Sequence, residues 1–160
     1  MARIIVVVLI GYLGGLASMQ DSKNVQEKED RPLRLGNFSV SLVVKDLSAS
    51  RAFYQKLGFQ PFGNFASKSM VILQNETATI GLFQAGLDKN AMTFNPGWDR
   101  SAKTLSEFDD VRDIQKVLKS RGIALTTEAD QVSTGPAFVT LVDPDGNQIL
   151  IDQHVPRPKK

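Results

Sequence analysis

Residues 43–59 read VVKDLSASRAFYQKLGF, and this stretch decides the fold. The β-branched run at 38–44 favours a strand that leads into it. Asp46 is placed to cap a helix whose apolar stripe includes Phe53. Gly58 then ends the helix in the left-handed conformation that glycine adopts easily. The stretch therefore predicts a strand followed directly by a short amphipathic helix.

The same pattern recurs later in the chain at a constant distance. Residues 110–123 read DVRDIQKVLKSRGI, in which Asp110 corresponds to Asp46 and Gly122 corresponds to Gly58, each 64 positions on. Each copy is too small to bury one face of its own sheet. We therefore expect the two copies to pack against each other.

Each helix is expected to lie within a module of one strand, one helix and three further strands. The predicted strands are 38–44, 59–64, 68–74 and 77–84 in the first module, and 103–108, 123–128, 136–142 and 147–152 in the second. Turn residues separate them. The predicted fold class is α+β, with two βαβββ modules joined by a long loop over 84–102.

Composition narrows the chemistry before any motif is considered. The 160 residues include no cysteine and one histidine. This excludes a disulfide framework, a cysteine nucleophile, a zinc site built on thiolates and any metal site needing two histidines from one chain. The charge is nearly balanced, with 19 Lys and Arg against 17 Asp and Glu. We therefore expect no nucleic-acid partner.

Two motifs resemble those of a known family. The stretch 43–59 and the turn Asp143-Pro144-Asp145-Gly146-Asn147 are similar to motifs of the vicinal oxygen chelate superfamily. That superfamily holds glyoxalase I, bleomycin-resistance proteins, fosfomycin-resistance proteins and extradiol dioxygenases. The resemblance covers nearly all of 36–155. It implies that the two modules curl into an open cup that holds a ligand, and that homodimers are common.

The resemblance also implies where a metal would be held. Metal-dependent members place His, Gln or Glu at four strand positions, which here are Ser39, Gly81, Lys103 and Leu150. Glycine and leucine carry no side-chain donor and lysine adds positive charge, so the set does not suit a divalent metal. His154 falls beyond the last predicted strand, where a surface or capping role is the usual one. We expect no metal and no cofactor, which disfavours the familiar metal-dependent activities.

Alternation along the predicted strands indicates which side chains face the cup. The candidate ligand-binding residues are Ser39, Ser41, Phe83, Trp98, Lys103, Glu107 and Gln148. Lys103 would attract an anionic ligand or serve as a base or nucleophile, unless it reaches the rim or pairs with Glu107. Trp98, the only tryptophan, would either stack on a ligand or anchor the loop between the modules.

Three functional hypotheses follow from this cup. The first is a metal-independent protein that binds a small, partly aromatic or anionic molecule and has no assigned catalytic residue. The second is a glyoxalase-like lyase or isomerase, or another enzyme of the superfamily with non-standard active-site residues such as Lys103 or Glu107. The third is an interaction module whose cup is filled by its own side chains.

The two ends of the chain differ from the folded part. Residues 1–17 have one basic side chain and a long apolar run, which is typical of a signal peptide for export to the periplasm or medium. A short uncleaved membrane anchor is the second interpretation, and a cytoplasmic protein that starts at Met19 is the third. Residues 18–35 form a charged linker, 36–155 the folded domain, and 156–160 a basic tail.

Overall fold

The computed structural model describes residues 31–159. The predicted signal peptide at 1–17 and most of the charged linker lie outside the described residues. The structure outlined below belongs to the unit Leu33–Lys160. Between residues 31 and 159, no helix combines the length and the apolar character needed to cross a membrane.

Seven strands and two helices make up this unit. In chain order they are β1 (Asn37–Val43), α1 (Leu47–Lys56), β2 (Gln60–Ala66), β3 (Met70–Gln74), β4 (Thr79–Phe83), β5 (Ala91–Asn95), α2 (Val111–Ser120), β6 (Ala137–Val142) and β7 (Gln148–Gln153). They form one mixed sheet in the order β2-β3-β4-β1-β5-β7-β6. The α+β class is confirmed, and the antiparallel pair β1–β5 joins the two modules at the centre of the sheet.

Both helices begin and end where the repeated motif predicts. The Asp46 side chain accepts a 2.9 Å hydrogen bond from the backbone N–H of Ala49, and Asp110 accepts one of 3.0 Å from Arg112. Gly58 and Gly122 follow the helices with φ of 88° and 74°. Because these signals act within one helical turn, they could be recognised from the sequence alone.

The predicted strand at 103–108 is wrong. The first strand of the second module is β5, which lies inside the segment predicted as a long loop, and residue Thr104 makes only an isolated bridge to Trp98. The 64-residue offset holds for the helices, but the link from β5 to α2 spans 96–110, far more than the link from β1 to α1. The 64-residue offset therefore applies to the two helices but not to the strand that precedes each of them.

The predicted strand at 123–128 is also wrong, so the second module has one strand fewer than the first. Only Thr127 forms a bridge, to Thr140 of β6. The next backbone groups are taken by a side chain, because the Gln115 amide bonds both the N–H and the carbonyl of Ala129. This leaves β6 at the edge of the sheet.

The helices cover one face of the sheet. One cluster, around Ile114 and Leu118 of α2, also includes Val139 and Ile151, and a second gathers Leu73 and Leu82 under α1. Alternate residues of the same strands point to the opposite face. That opposite face holds the cavity described next.

Candidate functional site

A cavity of 390 Å³ opens on the sheet face away from the helices. Its floor lies on the two central strands, where Ser39 pairs with Thr93 across the β1–β5 ladder. The hydroxyl groups of Ser41 and Thr93 are 2.8 Å apart and hydrogen-bonded. These three side chains, Ser39, Ser41 and Thr93, are buried and form what we call the hydroxyl floor.

One side of the cavity is a row of four rings that we call the ring wall: Phe62, Phe65, Trp98 and His154. Phe62 and Phe65 stack with centroids 5.6 Å apart, and the edge contact between Phe65 and Trp98 is 5.8 Å. Trp98 in turn stacks on His154 at 4.4 Å, with planes only 20° apart. The wall thus joins β2, the segment after β5, and the end of β7.

A backbone irregularity brings both phenylalanines to the same side. In a regular strand, residues three apart point to opposite faces. The pairing of β2 with β3 shifts register between Pro61 and Ala66, and Gly63 has φ of 52°, a left-handed value that favours glycine. The bulge therefore lets Phe62 stack on Phe65.

Asp152 and His154 form the charged end of the cavity. Asp152 Oδ2 lies 3.3 Å from His154 Nε2. Burial raises the pKa of the Asp152 carboxyl, and the charge of neighbouring His154 opposes this rise. The strand is held in place by Asn95, whose amide donates a 3.1 Å hydrogen bond to the backbone carbonyl of Asp152.

Two other charged side chains on the lining are committed to the backbone. The Arg100 guanidinium donates to the carbonyls of Asn75, Glu76 and Ala78, in the turn between β3 and β4. Asp99 accepts from the backbone N–H groups of Ser101 and Lys103, at 2.8 and 2.9 Å. Both side chains hold the segment 96–103 in place at the rim.

The structure places four of the seven predicted site residues on the cavity lining: Ser39, Ser41, Phe83 and Trp98. The other three, Lys103, Glu107 and Gln148, lie outside that lining. Lys103 is exposed and follows the turn closed by Asp99, rather than lying on a strand that faces inward. Glu107 pairs with Arg34 at 3.1 Å on the exposed surface. Gln148, at the start of β7, lies outside the residues that line the cavity.

Two features of the cavity, namely His154 and the stacked pair of Phe62 and Phe65, were not predicted from the sequence. His154 could have been found by continuing the alternation of β7, because Gln148, Leu150 and Asp152 share a face and the next member is residue 154. The pairing of Phe62 with Phe65 depends on the bulge, for which the sequence offered only Gly63.

The four positions at which the sequence resemblance implied metal ligands do not form a metal site: Lys103 lies outside the cavity lining, and the others lack a suitable set of donors. Gly81 has no side-chain donor, and a Cβ added there would lie 2.6 Å from the Phe83 ring and 3.1 Å from Ile72, so a ligating side chain would have to displace both. Leu150 has no donor, and the floor offers only neutral hydroxyls. Within 31–159, no three His, Cys, Asp or Glu side chains come together as a metal would require.

Comparison with known proteins agrees with this fold. No curated protein matches the chain. An NAD-dependent benzaldehyde dehydrogenase from Legionella pneumophila is similar at 19% identity, over 74% of this chain and 99% of that one, with a TM-score of 0.55. A glyoxalase/bleomycin resistance protein/dioxygenase superfamily member from Vibrio splendidus 12B01 is 17% identical over 73% and 97% of the chains, with a TM-score of 0.49.

At 19% identity the Legionella structure supports the fold alone. The family model for the Glyoxalase/Bleomycin resistance protein/Dioxygenase superfamily matches residues 36–151. This range contains both helices and nearly the whole sheet, and it agrees with the resemblance of the two sequence motifs. The chain therefore belongs to the glyoxalase/bleomycin resistance protein/dioxygenase superfamily.

Proposed function

We propose that this protein binds a small planar molecule in its cavity without a metal ion. The observation that carries the proposal is the cavity itself, in which a row of rings stands over a floor of hydroxyl groups. Its 390 Å³ falls within the range of about 300–1,000 Å³ that is usual for small-molecule sites. Of the seven ligand-binding residues predicted from the sequence, four are proposed as ligand contacts: Ser39, Ser41, Phe83 and Trp98.

The two kinds of lining have separate tasks in this proposal. The rings of Phe65 and Trp98 would contact the flat surface of a ligand, since aromatic contacts are favourable beyond the area that they bury. The hydroxyls of Ser39 and Thr93 would accept or donate hydrogen bonds and so fix its orientation. An open cavity of this size is not expected of a cup that is filled by its own side chains.

A test uses the single tryptophan as the reporter. The chain, labelled with ¹⁵N and dialysed against EDTA, is titrated with the neutral probe 1-naphthylmethanol while the indole N–H resonance of Trp98 is followed. We expect saturable shifts in EDTA, and affinity about tenfold weaker in Phe65→Ala because an aromatic contact is lost. Phe53→Ala is the control, since Phe53 lies on α1 and is 58% exposed.

The proposal has two contrary outcomes. If the Trp98 resonance does not move, or if Phe53→Ala weakens binding as much as Phe65→Ala, the cavity is not the binding site. If binding appears only after a divalent metal is added, the metal-independent part is wrong.

A second candidate is a lyase or isomerase that moves a proton. The observation in its favour is the pair of Asp152 and His154 at the cavity, because a carboxylate can orient an imidazole for general base catalysis. Lys103 and Glu107 have no part in it, since both lie outside the cavity lining. The test is solvent deuterium exchange next to a carbonyl in an aryl ketone substrate, in EDTA. Exchange that is lost in His154→Gln supports an enzyme, and absence of exchange in the unmodified protein contradicts it.

A further inference from the structure

We infer that the cavity selects a planar aromatic molecule carrying a positively charged group, which binds at Asp152. This inference rests on the proposed binding function and specifies its ligand class. It reverses the expectation of an anionic ligand that the position of Lys103 suggested.

Few charged side chains line the cavity. Four of the residues that line the cavity bear ionisable or charged groups: Asp99, Arg100, Asp152 and His154. Asp99 is bonded to two backbone N–H groups, and the guanidinium of Arg100 is bonded to three backbone carbonyls. The side chains of β1, β2, β3 and β4 that line the cavity are uncharged. Because Asp99 and Arg100 carry opposite charges and their polar atoms are engaged with the backbone, the net charge that a ligand meets is set by Asp152 and His154.

The Asp152 carboxylate lies in a partly buried environment. Its side chain is 29% exposed, and it pairs with His154, which is positive only when protonated. Burial already disfavours the ionised form, as the raised pKa of Asp152 shows. A cationic group placed beside this carboxylate would offset that burial, because a partly buried charge gains most from an opposite charge nearby.

The ring wall also favours a positive group on the ligand. The faces of aromatic rings carry partial negative charge and attract cations that lie over them. Trp98 and Phe65 lie in the same row of contacts as His154, which reaches Asp152. A ligand flat against this wall could therefore place a positive group near both the rings and the carboxylate.

An anionic ligand would meet the opposite situation. The permanent positive charge on the lining, that of Arg100, is engaged with carbonyl oxygens of the β3–β4 turn. Lys103 lies outside the lining altogether. A carboxylate in the cavity would then face Asp152, while the charge of Arg100 is offset by Asp99 and His154 is positive only when protonated.

The experiment compares three probes that share one ring system and differ in charge: 1-naphthylmethylammonium, 1-naphthylmethanol and 1-naphthoate. Dissociation constants are measured from the indole N–H resonance of Trp98 and by calorimetry at neutral pH. We expect the ammonium probe to bind about tenfold more tightly than naphthoate, from the charge at Asp152. In Asp152→Asn this preference, measured as the ratio of the two dissociation constants, should fall to about twofold or less.

The matched control is Asp145→Asn, which removes the same charge from the exposed turn between β6 and β7, away from the cavity lining. It should keep the full preference for the ammonium probe. The comparison of the three probes on the unmodified protein needs no variant, so the inference is tested even if a substitution impairs folding.

The outcomes separate this inference from the proposed function. If naphthoate binds as tightly as the ammonium probe or more so, or if Asp152→Asn keeps the preference, the cationic class is wrong while the binding function stands. If none of the three probes moves the Trp98 resonance, the inference and the proposed function fail together.

Discussion

The two helices share one motif but differ in how deeply they are buried. In α2, five residues are buried: Val111, Arg112, Ile114, Gln115 and Leu118. In α1 none is buried, and Phe53 and Leu57 are each 58% exposed. The two helices have the same cap residue and the same length, but they are packed to different depths. The repeated motif therefore determines the local helix and not its tertiary contacts.

The starts of the two helices also differ, because the cap residue Asp110 is buried and Asp46 is exposed. The Gln153 amide donates to Asp110 and accepts from the backbone N–H of Val111, while the guanidinium of Arg157 approaches Asp110 at 3.6 Å. Arg112, fully buried, pairs with Asp110 at 3.3 Å. The chain after β7 therefore closes over α2. The Asp46 side chain at the start of α1 bonds Ala49 of its own helix.

The largest expected effect is the removal of the cap of α2. Asp110→Ala leaves the buried guanidinium of Arg112 without its carboxylate, which should lower the free energy of unfolding by roughly 4 kcal/mol. The matched variant at the repeat position, Asp46→Ala, loses only a helix cap and should cost about 1 kcal/mol. Urea denaturation measures both, and equal losses would contradict the contrast between the helices.

A smaller effect is expected from the apolar faces. Ile114→Ala opens space in a fully buried position of α2 and should cost roughly 3 kcal/mol. Phe53→Ala removes a larger side chain from the exposed face of α1 and should change stability by about 0.5 kcal/mol or less. A loss above 2 kcal/mol for Phe53→Ala in the same denaturation assay would mean that a partner covers α1 in solution.

The smallest expected effect is on how stability depends on pH. It is tested at two carboxyl groups, Asp152 near the end of β7 and Asp143 in the turn before β7. Because burial raises the pKa of Asp152, its ionisation weakens the fold as pH rises through that folded-state value, and the stability is fully present only below the unfolded value of about 3.9. Asp152→Asn should therefore melt a few degrees higher than the unmodified protein at pH 7. The gain should shrink as the pH is lowered toward 4.

Asp143 gives the opposite sign and serves as the control. Its hydrogen bond from the Asn147 side chain holds the pKa of Asp143 below the usual range, so its stabilising effect is present above the unfolded pKa and is lost as pH falls through the folded value. Asp143→Asn should melt lower than the unmodified protein at pH 7, with the difference closing in acid. Melting curves in which both variants shift in the same direction would contradict these assignments.

The sequence predicted what depends on a few neighbouring residues and missed what depends on pairing at a distance. The helix bounds follow from Asp46, Asp110 and the glycines after each helix, all of which act locally. The strand β5 was missed because the segment inserted at 96–110 breaks the constant offset, and no local residue marks an insertion. The repeat therefore gave the correct fold class and a misplaced strand.

The site divides in the same way. Ser39 and Ser41 lie on the face of the cavity because strand alternation decides which face they take. Lys103 and Glu107 lie outside the lining because the strand expected to carry them is absent. His154 was within reach of the alternation of β7, but the contact that makes it part of the cavity, its stacking on Trp98, is set by the loop after β5.

The contact at Gly81 has a consequence for substitutions at this position. A side chain there would meet the ring edge of Phe83 and the terminal methyl group of Ile72. Both would have to move aside before the new side chain could offer a donor to the cavity. Because Phe83 lines the cavity, a ligand added at residue 81 would also change the shape of the present binding space.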